Sequence, residues 1–205
     1  MTNVVFSSRN RSKIAQVKGV FAGSRFAIRT LDDLNIQGEA VEDGKTLEEN
    51  AQLKGFFVYQ HDKGKGEYIL SEDTGLFISS LHGKPGIHAA RWAGPGKTTE
   101  EIMYSTLDAL KEFRQLHERE AYFQTVSVVI SPAGEIDMFY GVALGTILLE
   151  PQCECQPDMP YSAIFRPYGF EKVWAQMSVE EENAISHRGK ALRAALEHLD
   201  RIVLW

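Results

Sequence analysis

Residues 121–131 and 136–149 are two extended runs rich in β-branched and aromatic side chains, separated only by Pro132-Ala133-Gly134-Glu135. Strand-forming residues on both sides of a short turn with Pro and Gly read as a β-hairpin. A hairpin this long belongs inside one central sheet, and the rest of the chain has to supply its neighbours and its cover. With 205 residues, 43% of them hydrophobic, there is material for one sizeable core, or one core with a small lobe.

The flanking segments alternate in type. Residues 4–7 read as a first strand, followed by a helix whose apolar residues Ile14, Val17, Val20 and Phe21 have helical spacing. Thr46 with Glu49 three residues on makes a capping box, opening a helix that runs to about His61. Asp62-Lys63-Gly64-Lys65-Gly66 breaks it. Strands are expected at residues 68–71 and 77–81, and Thr98 with Glu101 starts a third helix to about Leu116. The stretch 150–160 is loop-like, and a last helical region, 179–202, is interrupted at Ser186-His187-Arg188-Gly189. The order is α/β, in a single domain over residues 1–205.

Composition excludes several classes of function. No run of 18 apolar residues exists to span a membrane, and the N-terminus lacks the basic and apolar regions of a secretory signal. The net charge of -6 argues against binding a nucleic acid polymer through a broad basic surface. Cys153 and Cys155, spaced C-x-C, would form a strained disulfide and lack partners for a zinc site, so they read as free cytosolic thiols.

Polar clusters carry the chemistry. Ser71-Glu72-Asp73-Thr74-Gly75 places two adjacent acids after the apolar run Tyr68-Ile69-Leu70. Neighbours on a strand face opposite ways, so paired acids at one site imply that the strand is ending there. Such a pair can hold a metal ion while one member activates water; a solvated turn is the plain alternative. Ser8-Arg9-Asn10-Arg11-Ser12-Lys13 lies between strand and helix, where amides and a lysine can hold phosphate, or where a helix is simply capped. Asn50 and Lys54, four apart, share a helix face that could equally be a solvated one. Ser186 can cap a helix while His187 and Arg188 donate to a base or phosphate.

Taken in order, these clusters resemble the Ham1-like inosine triphosphate pyrophosphatase family over nearly the whole chain. Ser8-Arg9-Asn10-Arg11-Ser12-Lys13 matches its [ST]-x-N-x-x-K signature, and Glu49-Asn50-Ala51-Gln52-Leu53-Lys54 its E-N-A-x-x-K signature. Glu72-Asp73-Thr74-Gly75-Leu76 is followed by Gly83-Lys84-Pro85-Gly86-Ile87 and Ala90-Arg91-Trp92, and S-H-R-G-K-A-L runs over residues 186–192.

The resemblance implies an elongated mixed central sheet flanked by helices, two lobes with the cleft between them, and a cytoplasmic homodimer. It implies hydrolysis of ITP, dITP and XTP to monophosphate and pyrophosphate with Mg²⁺, or Mn²⁺ in its place. Asn10, Lys13 and Lys54 are the implied triphosphate contacts, and Ser8 and Thr74 belong to the same implied substrate site. Glu42, Glu72 and Asp73 are the implied metal-site acids, with Asp73 also activating water. Lys172, His187 and Arg188 complete the implied substrate site, the last two reading the purine.

One segment departs from the family. Its F-G-[YW]-D-P-x-F stretch stands here as Met159-Pro160-Tyr161-Ser162-Ala163-Ile164-Phe165. Met159 offers a polarizable contact without a ring face, and Ser162 stands in place of an acid. Tyr161 keeps the aromatic. Base recognition is therefore expected to differ while phosphate chemistry is kept. The alternative is a relative that binds or senses nucleotide without turning it over.

Overall fold

A computed structural model describes residues 1–203 of the chain. Its strands are β1 (Thr2–Phe6), β2 (Phe26–Thr30), β3 (Tyr68–Ile78), β4 (Pro85–Gly86), β5 (Glu120–Ile130), β6 (Ile136–Ile147) and β7 (Phe165–Pro167). Its α-helices are α1 (Arg11–Val20), α2 (Leu47–Tyr59), α3 (Thr99–Ala109), α4 (Val179–Ile185) and α5 (His187–Ile202). One mixed sheet runs in the order β2-β1-β3-β5-β6-β7, with β4 pairing the far end of β3. The hairpin expected from the sequence is β5 and β6, antiparallel from Ile130↔Ile136 to Glu120↔Thr146.

β1 is parallel to β2 and β3, whereas β3, β5, β6 and β7 alternate. The register of β1 on β3 stops at Phe6↔Leu70, where the chain leaves the sheet for α1. On that edge β3 is next paired at Leu76, by Gly86 of β4. Between these points β3 keeps its partner β5 on one side and opens a gap on the other. A crevice where neighbouring strands part is where α/β sheets place their ligands.

Helices cover both faces. α2 packs on β3 and β5, and comes close because Gly55 has no side chain: a Cβ there would lie 2.8 Å from Ser71 Oγ and from Ile130 Cδ1. α5 packs on β5 and β6, where a Cβ at Gly141 would fall on the His187 carbonyl. The core has two parts. Val4, Phe6, Val17, Leu192 and Leu199 on one face, and Val5, Ala51, Val58 and Val128 on the other, clamp the first half of β3. Leu76, Phe123, Phe165, Trp174, Ile102 and Leu110 fill the second lobe. No helix among the described residues is long and apolar enough to cross a membrane.

Several local expectations are corrected. The strands expected at 68–71 and 77–81 are one strand, β3, followed by a 3-10 turn Ser79–Leu81. The acids therefore do not mark a strand end; pairing of Glu72 with Ser127 and Asp73 with Val126 carries the strand through them. The third helix ends at Ala109, not near Leu116, although its Thr98–Glu101 capping box forms on both sides. At Thr46 only half the box forms: Thr46 Oγ1 accepts from the Glu49 amide, but Glu49 Oε2 accepts from the Lys45 amide. The break in the last helical region is at Ser186 alone, which caps α5. β2, β4 and β7 are short strands not foreseen from the sequence.

Candidate active site

A cavity of about 520 Å³ opens at the bare edge of β3. Because neighbours on a strand face opposite ways, Glu72 points toward α1 and α5 and Asp73 toward α2. Glu72 Oε1 accepts from Arg188 Nε at 2.7 Å and pairs with Lys13 Nζ at 3.1 Å. Burial alone would raise the Glu72 carboxyl, but Arg188 and Lys13 hold it down at about 2. Burial, with Lys54 and Arg188 nearby, brings the Lys13 ammonium below its ordinary value even so.

On the other face, Lys54 Nζ lies 2.6 Å from Asp73 Oδ1 and 3.1 Å from Glu42 Oε2. Burial opposes its charge, yet Asp73 and Glu42 raise the ammonium above its ordinary value. Asn50 Nδ2 donates to Asp73 Oδ2 at 3.4 Å, and Asn50 Oδ1 accepts from the Gly44 amide. Asn50 is 1% exposed, so the shared face of Asn50 and Lys54 is turned inward and is not a solvated one. The three expected metal-site acids are thus brought to one cleft, each leaning on a lysine. No group of three acids, histidines or cysteines closes into a metal cage among the described residues. Glu72 Oε2, however, is buried without a hydrogen-bond partner among them.

The turn from β1 into α1 works as both cap and tether. Asn10 Oδ1 accepts from the Lys13 amide, fixing the first turn, while Asn10 Nδ2 donates to the Asp158 carbonyl. Ser12 Oγ donates to Pro157 O, and Ser8 Oγ accepts from the Asn10 amide. The loop that carries Met159 is thereby tied to the residues expected at the phosphates. Thr74 Oγ1 is 2.7 Å from Thr125 Oγ1 and accepts from Arg188 Nη2 at 3.3 Å.

At the other end of the cleft the walls are aromatic. His187, first residue of α5, stacks on Phe123 at 4.7 Å and 15° and lies 6.2 Å from Trp174. Burial, with Arg188 and Lys13 nearby, drives its pKa well below the ordinary value, so the ring is neutral. Tyr161 donates to Ala89 O at 2.8 Å, and Met159 lines the cavity half-buried. Ser162 Oγ accepts from the Gln156 amide at 2.8 Å and donates to Met159 O at 2.7 Å, so its hydroxyl is engaged inside the loop. Arg188 spends Nε, Nη1 and Nη2 on Glu72, Gln16 and Thr74, nearer the acids than the aromatic end.

Lys172 stands apart. It does not line the cavity; its Nζ pairs with Glu181 at 2.8 Å on the surface. Sequence reasoning missed Phe123, Gln156, Trp174 and Glu182, which line the cavity, and Gln16, whose side-chain oxygen accepts from Arg188 Nη1. Gln16 follows Lys13 by one helical turn, a spacing that could have flagged it.

Matches to known proteins fit this arrangement. The Ham1 family pattern covers residues 4–198. A dITP/XTP pyrophosphatase of Caldanaerobacter subterraneus is 37% identical over 199 residues, 97% of this chain and 96% of its own. One from Christiangramia forsetii is 34% identical, over 97% of this chain and 99% of its own. The HAM1 protein of Coxiella burnetii superposes with a TM-score of 0.81 at 28% identity, covering 98% of this chain and all of its own. The Staphylococcus aureus Ham1 protein gives 0.79 at 30% identity, over 98% of this chain and 99% of its own. With the sheet, the split β1/β3 edge and the acids at that edge in agreement with so full a match, the chain belongs to the Ham1 family.

Proposed function

We propose that this protein, as one domain over residues 1–205, hydrolyses non-standard purine nucleoside triphosphates, ITP, dITP and XTP among them, to monophosphate and pyrophosphate. The observation that carries the reading is the pair Glu72 and Asp73 on opposite faces of one strand, each backed by a partly buried lysine, at the open edge of the sheet. Lys13 and Lys54 then neutralise the polyphosphate, and the capped start of α1 offers amide donors to it.

Asp73 takes the proton of a water as its oxygen bonds to phosphorus at the α–β anhydride. The anhydride P–O bond breaks and pyrophosphate leaves with the electron pair. Lys54, 2.6 Å from Asp73 Oδ1, holds the carboxylate in place and leaves Oδ2 only a long bond to Asn50. The unpartnered Glu72 Oε2 and the hard oxygen donors of Glu42 and Asp73 fit Mg²⁺, or Mn²⁺ in its place. Mg²⁺ usually takes one or two carboxylates together with substrate phosphates, so no closed protein cage is needed. When bound, the ion supplies charge neutralisation of the phosphate oxygens.

Beyond α2's cover, Tyr140, Val142 and Leu144 leave an exposed apolar stripe on β6. This stripe suits a homodimer contact, measurable by light scattering. The setting is the cytoplasm, where Cys153 and Cys155 remain free thiols.

The test is pyrophosphate release across ITP, dITP, XTP and the common triphosphates, with and without Mg²⁺. Asp73→Asn is expected to lower kcat by about a thousandfold while nucleotide still binds, because the amide keeps the shape but accepts no proton. Near-normal kcat in that variant removes Asp73 from the role.

A further inference from the structure

Cys153 and Cys155 form a C-x-C motif that the pyrophosphatase reading leaves unused. Both thiols are free, Cys153 exposed and Cys155 half-buried, on the loop between β6 and β7. Cys155 faces α3, where its Sγ lies 3.6 Å from Met103 Sδ. Met103 is 4% exposed in the core of the second lobe, so packing holds its thioether in place. Two sulfurs on one metal ion, each at about 2.3 Å, stand roughly 3.5–4 Å apart. Cys155 and Met103 already have that spacing. Neither helix nor strand runs through residues 153–155, and side chains two apart on an extended chain lie on one side. The thiols are near enough for charge on Cys153 to act on Cys155. An exposed side chain changes rotamer freely, so Cys153 is available as a third sulfur.

The donor set selects the ion. Structural Zn²⁺ takes four ligands from Cys, His and carboxylates, and no three of these gather among the described residues. Thiolates with a thioether suit a soft ion, Cu⁺. Burial, with Glu154 beside it, pushes the Cys153 thiol up. Burial, with Glu100 and Cys153 nearby, does the same to Cys155 against hydrogen bonds from the Ala163 amide and Ser162. Both sulfurs therefore carry protons, while Glu100 and Glu154 leave a field that favours a cation. Binding replaces two S–H bonds by two Cu–S bonds and sends two protons to solvent, with no change of oxidation state.

We propose that Cys153, Cys155 and Met103 form a three-sulfur Cu⁺ site behind the cleft loop, and that filling it slows turnover. The second half rests on the pyrophosphatase reading. Cys155 Sγ donates to Pro160 O at 3.6 Å, and Met159, Pro160 and Tyr161 line the cleft. A metal-bound thiolate has no proton to donate, so occupation releases Pro160 O. The loop then loses a tie beside the one that Gln156 makes to Ser162 Oγ.

The experiment is oxygen-free competition for Cu⁺ between the full chain and the chelator bicinchoninate, with ascorbate as reductant. The wild type is expected to withdraw about one Cu⁺ per chain. Affinity is expected to fall about tenfold or more in Cys153→Ser, which alters an exposed position, and in Met103→Leu, which nearly conserves volume. No withdrawal by the wild type, unchanged affinity in either variant, or Zn²⁺ held as tightly as Cu⁺ overturns the site. Pyrophosphate release from ITP with Mg²⁺ is then compared with and without Cu⁺. It is expected to fall about threefold or more in the wild type and to stay within about twofold in Cys153→Ser. No inhibition, or equal inhibition in that variant, overturns the coupling to the cleft. If no triphosphate releases pyrophosphate even without copper, the pyrophosphatase reading fails, and the competition alone decides the metal site.

Discussion

Arg119 and Arg188 are both 2% exposed, yet they are satisfied in opposite ways. Arg119 donates to four backbone carbonyls: Leu110 and Phe113 just past the end of α3, and Ile147 and Leu148 at the end of β6. Carbonyls near a helix C-terminus lack intrahelical partners and favour a cation, so this arginine clasps two elements that the fold already places. Arg188 instead spends its donors on side chains, Glu72, Gln16 and Thr74, and Glu72 keeps one oxygen unpaired. A buried cation answered by main chain serves the fold. A buried cation answered by side chains, one of them an acid that retains spare capacity, holds a site ready for a ligand.

Removing Arg119 is the strongest challenge to that division. Arg119→Met removes a donor from three buried carbonyls and the part-buried Phe113 carbonyl, Leu110 O keeping its bond from the Phe113 amide, at a cost of about 4 kcal/mol, or roughly 10 °C in Tm. Thermal unfolding gives the first quantity and active-fraction kinetics the second. Per folded molecule, kcat is expected to stay within about twofold. A variant with normal Tm and lost kcat would put Arg119 among the site residues and break the comparison.

Acid should act on the other region. Glu72 has a folded pKa of about 2 against an ordinary 4.5. Its folded value is depressed, so its contribution is fully present above 4.5 and is lost as the pH falls through about 2. The loss is on the order of 3 kcal/mol. Tm measured across this window should fall more steeply in the wild type than in Glu72→Gln, which has no such carboxyl to protonate. Parallel curves would assign the acid response to other groups.

How far the sequence could be read follows from which contacts are local. The face shared by Asn50 and Lys54 was legible because helical spacing alone sets it. The hairpin was legible because its partners adjoin. The continuity of β3 was not, since Glu72-Asp73-Thr74 has turn composition and only distant pairing with Ser127 and Val126 makes it strand. β2 is five residues long, includes Arg29 and depends on β1, so nothing local announces it. Glu182 is hidden differently. It is the last of Glu180-Glu181-Glu182 in the first turn of α4, where acids ordinarily complement the helix dipole in solvent. Glu181 does cap Ser178, while Glu182 turns inward to Gln156. Periodicity cannot separate those two fates in a helix of seven residues.

Ser162 sharpens the comparison at its smallest scale. From sequence it stands in place of a base-reading acid, which predicts weakened discrimination among purines. In the fold its hydroxyl accepts from the Gln156 amide and donates to Met159 O, and its own carbonyl accepts from the Ala175 amide. Those partners are main chain, as for Arg119, so Ser162 falls on the structural side of the division. Its hydroxyl then staples the loop whose Gln156 side chain holds Glu182. Ser162→Ala removes two loop hydrogen bonds and is expected to cost about 1–2 kcal/mol of stability. The GTP/ITP ratio of kcat/KM should change by less than about threefold, because no base contact is lost directly. Ser162→Asp is the sharper variant, since a carboxylate can accept from Gln156 but cannot donate to Met159 O. If either substitution shifts the ratio tenfold or more while Tm holds, the hydroxyl faces the base and the rule drawn from Arg119 does not extend to the loop.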